Sequence, residues 1–128
     1  MLGNYLLNPV LLSKDLSKAR HFYHDLLGLE IISENERGIF LRSGDGIFSI
    51  SKSTVGTKDE QTQAAWRVED VRAEVKELRE RGVKVEEYDD PGFKTDKDGI
   101  VDIGFAWVAY IIDPDHNALS ILQTKQEP

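Results

Sequence analysis

The chain carries the same punctuation twice. Residues 15–28 and 70–82 are amphipathic stretches of nearly one length, each opened by an aspartate and closed by a glycine. In the first, Ala19, Phe22, Tyr23, Leu26 and Leu27 recur at i, i+3, i+4, i+7 and i+8, which lines one face of an α-helix. Asp15 or Ser17 can cap its start, and Gly28 stands where a left-handed C-terminal residue is needed. In the second, Val71, Val75 and Leu78 repeat at i, i+4 and i+7, Glu77 and Arg81 form an i,i+4 pair, and Gly82 ends the helix. Two such helices imply a duplicated unit.

The flanking segments repeat in the same order. Short strand-like segments precede the helices at 9–13 and 64–68, and β-rich stretches follow them at 29–32 and 83–86. Residues 46–50 and 117–121 match as last strands, each after a turn (43–45 and 113–117), with strands at 38–42 and roughly 103–112 between. Aligning Asp15 on Asp70 pairs Asn8 with Gln63, and a one-residue gap pairs Gly28 with Gly82. The order is β-α-β-β-β twice. With 128 residues the chain suits a single domain, with module one at about 5–52, a polar linker at about 52–62 and module two at about 63–124.

Composition narrows the function. Apolar residues at 40% and charged residues at 30% are ordinary globular usage and exclude wholesale disorder. No run of apolar residues is long enough for a transmembrane helix, and the first twelve residues lack a basic leader, so a cytoplasmic protein is expected. The absence of cysteine excludes a disulfide scaffold, a thiolate metal site and a cysteine nucleophile. A net charge of −7 repels nucleic acid and anionic lipid and favours cationic partners. No Gly-rich phosphate loop and no Ser-His-Asp spacing is present.

The run Lys14-Asp15-Leu16-Ser17-Lys18-Ala19-Arg20-His21-Phe22-Tyr23, followed by Leu27-Gly28-Leu29, resembles the opening module of the glyoxalase/bleomycin-resistance/extradiol-dioxygenase group, the vicinal oxygen chelate superfamily. Val68-Glu69-Asp70-Val71 and Asp113-Pro114-Asp115-His116-Asn117 resemble its second module, and the match spans residues 8–124. The resemblance implies an α+β fold. Two βαβββ modules would form an eight-stranded half-open barrel, a glyoxalase-like cup with helices outside and a small ligand or divalent metal within. It also implies four inward positions, here Asn8, Ser49, Gln63 and Ser120. Metal-using members typically show His and Glu there. Two amides and two hydroxyls carry no charge to offset dehydration of a dication, and no immediate neighbour is charged or a histidine. No metal, no cofactor and no catalytic residue is therefore expected. His21 and His24 are expected as solvated helix residues, and His116 as a turn residue tolerating positive φ.

If those four side chains point inward, alternation sends Val10, Leu12, Ile47, Ala65, Ala118 and Leu122 inward too. Pro9, Leu11, Phe48, Ile50, Trp66, Val68, Leu119 and Ile121 then pack under the helices. The interior becomes apolar walls with a few neutral hydrogen-bonding groups. Trp107 and Tyr110 are candidates for apolar contact with a ligand, although a bulge before the Asp113 turn would swap the faces of that strand. Residues 88–104 form a polar segment, either a lid or a solvated loop. The reading is a metal-free protein binding a small, largely apolar or aromatic molecule, resembling the drug-sequestering resistance proteins of the superfamily. The alternative is a metal-dependent lyase, isomerase or dioxygenase of the glyoxalase type. An open cup leaves strand edges and apolar rims to cover, so a homodimer is expected.

Overall fold

The computed structural model describes residues 1–57 and 61–125. The first half contains β1 (Val10–Ser13), helix α1 (Leu16–Arg20, continuing as a π-helix over His21–Leu26), β2 (Glu30–Asn35), β3 (Gly38–Ser43) and β4 (Gly46–Lys52). The second contains β5 (Thr62–Arg67), α2 (Val71–Glu80), a two-residue hairpin of β6 (Asp89–Asp90) and β7 (Phe93–Lys94), β8 (Val101–Asp102), β9 (Ala106–Ile112) and β10 (Ala118–Thr124). The sheets are ordered β1-β4-β3-β2 and β5-β10-β9-β8, and in each the first and last strands of the half run parallel. This is the duplicated α+β architecture. No strand ladder joins the two sheets among the described residues, so the barrel stays half-open.

The helices begin and end for the reasons visible in their residues. Asp15 caps α1 by accepting from the Ser17 and Lys18 amides, and Asp70 caps α2 by accepting from Ala73. Gly28 (φ 77°) and Gly82 (φ 86°) end them in the left-handed conformation, and His116 also has a positive φ of 67°. The Glu77–Arg81 pair forms at 3.4 Å. His21 is solvated beside Asp25, but His24 is half-buried, with Nδ1 2.7 Å from the Leu29 carbonyl oxygen.

One apolar core joins both halves. Leu11, Phe48 and Ile50 from the first sheet meet Ile111, Leu119 and Ile121 from the second, all beneath the helices. Alternation therefore holds along these strands, with Pro9 an exception that stays exposed. Reciprocal contacts tie the halves. Trp66 Nε1 donates to Ser43 Oγ (2.8 Å), and Asn117 Nδ2 donates to the Leu12 carbonyl (2.9 Å), so each half's first strand abuts the other half's last turn. Tyr23 donates to buried Asp113 Oδ2 at 2.6 Å.

One expected strand does not form. Val83 and Val85 are buried in the core, yet residues 83–86 make only a single bond to β9, from the Glu86 amide to the Tyr110 carbonyl. The outer edge of β9 is shared between that bond and the two residues of β8, so the second half has no counterpart of the six-residue β2. Among the described residues no helix is long and apolar enough to cross a membrane.

Candidate functional site

The faces turned away from the helices carry matched constellations. On β4, Ser49 pairs laterally with Val10 of β1 and Phe40 of β3. On β10, Ser120 pairs with Ala65 of β5 and Tyr110 of β9. Partners directly across a ladder share a face, so each half presents a hydroxyl between a small or branched apolar residue and an aromatic ring. Ser49 is 9% exposed and Ser120 7%, whereas Phe40 is 47% exposed, so both serines are recessed while the ring beside Ser49 is open to solvent. Neither hydroxyl is engaged elsewhere among the described residues. Phe40 was not among the expected site residues. Its signal is the run Gly38–Ser43, where Ile39 and Leu41 face the core and alternation turns Phe40 outward.

The other expected residues are placed less uniformly. Asn8 is exposed and precedes β1. Gln63 is the extra residue of a bulge: Thr62 pairs with Ala118 and Ala64 with Leu119, which leaves Gln63 between them and exposed. A bulge re-aims the side chain it carries, so strand parity does not set the direction of Gln63. Trp107 lies on the opposite face of its strand from Tyr110. It pairs with Gln123 and Asp102, opposite in parity to Tyr110, and packs on the helix-side core with the Lys125 ammonium 5.0 Å from its ring centroid. The structure thus brings Ser120 and Tyr110 together and leaves Trp107 on the other side of the sheet.

Residues 88–104 are neither a free loop nor a detached lid. Tyr88, Phe93 and Tyr110 pack ring against ring at centroid distances of 5.6–5.8 Å, seating the β6–β7 hairpin on the face that carries Ser120. Thr95 accepts the Tyr88 amide, and Arg72 of α2 holds Asp96 and Asp98 at 2.8 Å each, pinning the segment from behind. Burial pushes the Tyr110 phenol above its usual range, so it remains a neutral donor at ordinary pH. Asp102, hydrogen-bonded to Lys125, is held below the usual carboxylate range.

The donor set does not fit a divalent metal. Asn8, Ser49, Gln63 and Ser120 supply only neutral oxygens, and among the described residues no three His, Asp or Glu side chains converge.

Paired βαβββ units with opposed edges and apolar concave faces define a glyoxalase-type fold. The chain belongs to the Glyoxalase/Bleomycin resistance protein/Dioxygenase superfamily, whose sequence profile matches residues 5–121. In fold it is similar to a glyoxalase/bleomycin resistance protein/dioxygenase from Alicyclobacillus acidocaldarius (16% identity, 96% of this chain and 93% of that one, TM-score 0.73). It is also similar to a bleomycin-binding protein solved with bleomycin (18% identity, 94% and 99%, TM-score 0.71) and to lactoylglutathione lyase from Agrobacterium tumefaciens (19% identity, 93% and 92%, TM-score 0.67). No match was found among curated protein sequences.

Proposed function

We propose that the chain is a metal-free binding protein that holds a small, largely apolar or aromatic molecule against its concave faces. The observation that carries this reading is the repeated constellation of an uncommitted, nearly buried serine beside an aromatic ring, Ser49 with Phe40 and Ser120 with Tyr110. Such a site orients a ligand by neutral hydrogen bonds and gains affinity from apolar contact. Gln63 and Asn8 at the rim supply further amide groups. The fold neighbour that holds bleomycin supports a sequestering role, and the −7 charge suits a cationic ligand. The protein acts in the cytoplasm in this reading.

Native mass spectrometry of protein purified from its own host tests the proposal directly. A retained organic molecule is expected, and Ser120→Ala should weaken it several-fold, the effect of about 0.5–1.5 kcal/mol for one neutral hydrogen bond. Unchanged affinity in Ser49→Ala, Gln63→Ala and Ser120→Ala alike would place binding elsewhere. Nickel, zinc or manganese at micromolar concentration should leave the melting temperature unchanged; a rise of many degrees would overturn the metal-free reading, because ligation of the native state stabilises it by mass action.

The segment ahead of β1 supports a homodimer. Leu6 and Leu7 are 71% and 89% exposed, leaving apolar surface beside the Phe40–Ser49 constellation that a second copy would cover. Sedimentation at micromolar concentration should return about twice the 14.5 kDa chain mass, and a clean monomer would refute the pairing.

A further inference from the structure

The first concave face carries a charged group that the second lacks beside its ring. Val10, Ser49 and Phe40 form one row across its ladders, and Ile47, Arg42 and Glu30 form the next. Partners across a ladder share a face, as do residues two apart on a strand. Arg42 therefore stands on the same face as Phe40, about 7 Å further along β3. Among the described residues, Arg42 and Glu30 are the only charged side chains that β1 to β4 place on this face. The Arg20–Glu34 pair belongs to the other side, because Glu34 lies across from buried Ile39. On the second face the residues two along from Tyr110 are Val108 and Ile112, both aliphatic.

We propose that the first concave face binds a small aromatic carboxylate, its ring against Phe40 and its carboxylate on the Arg42 guanidinium. The proposal rests on the cup reading and narrows it to one face and one head group. Arg42 is only partly engaged. Its Nε lies 3.4 Å from Glu30 Oε2, the two side chains are 45% and 69% exposed, and it makes no other polar contact among the described residues. An exposed pair this long holds its members weakly. The terminal nitrogens of the guanidinium remain open, and their planar fork matches a carboxylate. Ser49, nearly buried across from Phe40 and without a protein partner, adds a neutral hydroxyl within the same patch. A guanidinium has donors and no acceptor, so an ammonium head group is repelled there. A phosphate dianion is disfavoured as well, because Glu30 stands beside Arg42 and opposes a second negative charge. The net charge of −7 does not reverse this choice: beyond about 8 Å it is screened at physiological salt, and the head group answers to the charge it touches.

In the ¹⁵N-labelled chain, the backbone amides of Phe40 and Ser49 should shift saturably with sub-millimolar 2-naphthoate. 2-Naphthol and 2-naphthylmethylammonium should bind roughly fivefold or more weakly, the loss expected for a charge-assisted pair at an open face. Arg42→Gln should lower 2-naphthoate to the affinity of 2-naphthol, and Arg42→Lys, which keeps the charge without the fork, should fall between. Glu30→Gln should tighten 2-naphthoate, because it frees the guanidinium from its competitor; a purely structural Arg42–Glu30 pair would give no such gain. Both positions are exposed, so these variants should melt with the parent. 2-Naphthylmethylammonium bound as tightly as 2-naphthoate, or an Arg42→Gln variant that keeps the preference, overturns the proposal and leaves the cup reading standing. Shifts confined to Tyr110 and Ser120 do the same. Amides unmoved by all three probes up to their solubility limits also overturn it, whereas the cup reading is judged separately, by the molecule retained from the host.

Discussion

Replacing Asp113 by alanine should lower the midpoint of thermal unfolding by on the order of 10–20 °C. Its carboxylate is buried and accepts four hydrogen bonds. Oδ1 takes the Asp115 and Asn117 amides at 2.8 Å each, and Oδ2 takes the Tyr23 hydroxyl at 2.6 Å and Asn117 Nδ2 at 2.8 Å. Removing the acceptor leaves these donors unpaired in the interior, a loss of about 3–5 kcal/mol. The damage spreads to the site, because Asn117 also donates to the Leu12 carbonyl and accepts from Thr57 Oγ1, and the turn it belongs to starts β10 with Ser120. Tyr23→Phe removes one donor and should cost about 1–3 kcal/mol. A melting temperature of Asp113→Ala within about 3 °C of the parent would refute the account.

The same pair predicts a pH dependence. Burial, and then the neighbouring Asp113 carboxylate, push the Tyr23 hydroxyl far above its usual range. In the unfolded chain it ionises near pH 10, so above that pH the unfolded state binds fewer protons than the native state. The contribution is therefore complete below pH 10 and is lost as pH rises further, by about 1.4 kcal/mol per unit. Stability measured between pH 10 and 12 should fall more steeply in the parent than in Tyr23→Phe. Parallel slopes would show that Tyr23 ionises freely in the native state.

How much of this was legible in the residues differs between elements. Helices α1 and α2 were, because their apolar spacing, Asp caps and closing glycines are local properties that the fold did not override. Core parity on β4 and β10 was legible for the same reason: Phe48, Ile50, Leu119 and Ile121 alternate with serines and are buried as expected. The bulges were not. Gln63 and Ile32 are extra residues only relative to the partner strand, and a single strand's own pattern carries no trace of its neighbour's register. Trp107 and Tyr110 are three residues apart, so plain alternation already puts them on opposite faces. What the pairing of β9 with β10 adds is that no bulge intervenes and that Tyr110 is the one beside Ser120. Residues 83–86 have the apolar alternation of a strand and do bury Val83 and Val85; what they lack is ladder space beside β9, which no local pattern reports. The Trp66–Ser43 hydrogen bond joins residues from different halves and follows from the docking of the two sheets alone.

Gly38→Ala should destabilise the chain by about 3 kcal/mol, more than its mild chemistry suggests. Gly38 has an ordinary extended backbone, so conformational freedom is not the reason for glycine here. The reason is space: a Cβ built on Gly38 would lie 2.5 Å from the Ile50 carbonyl oxygen, and that oxygen belongs to a ladder. Backbone on one strand must move to admit it. β3 and β4 are the strands that hold Phe40 beside Ser49, so the separation strikes the first concave face as well as the core beneath Ile39 and Ile50. Gly46 provides the comparison, since its Cβ would meet only the Ser43 carbonyl oxygen at 3.4 Å, and Gly46→Ala should change stability by less than about 1 kcal/mol. Urea unfolding of both variants reads the difference. If Gly38→Ala costs no more than Gly46→Ala, β3 and β4 do not approach tightly at Gly38, and the Phe40–Ser49 constellation loses the rigid ladder on which a positioned hydroxyl depends.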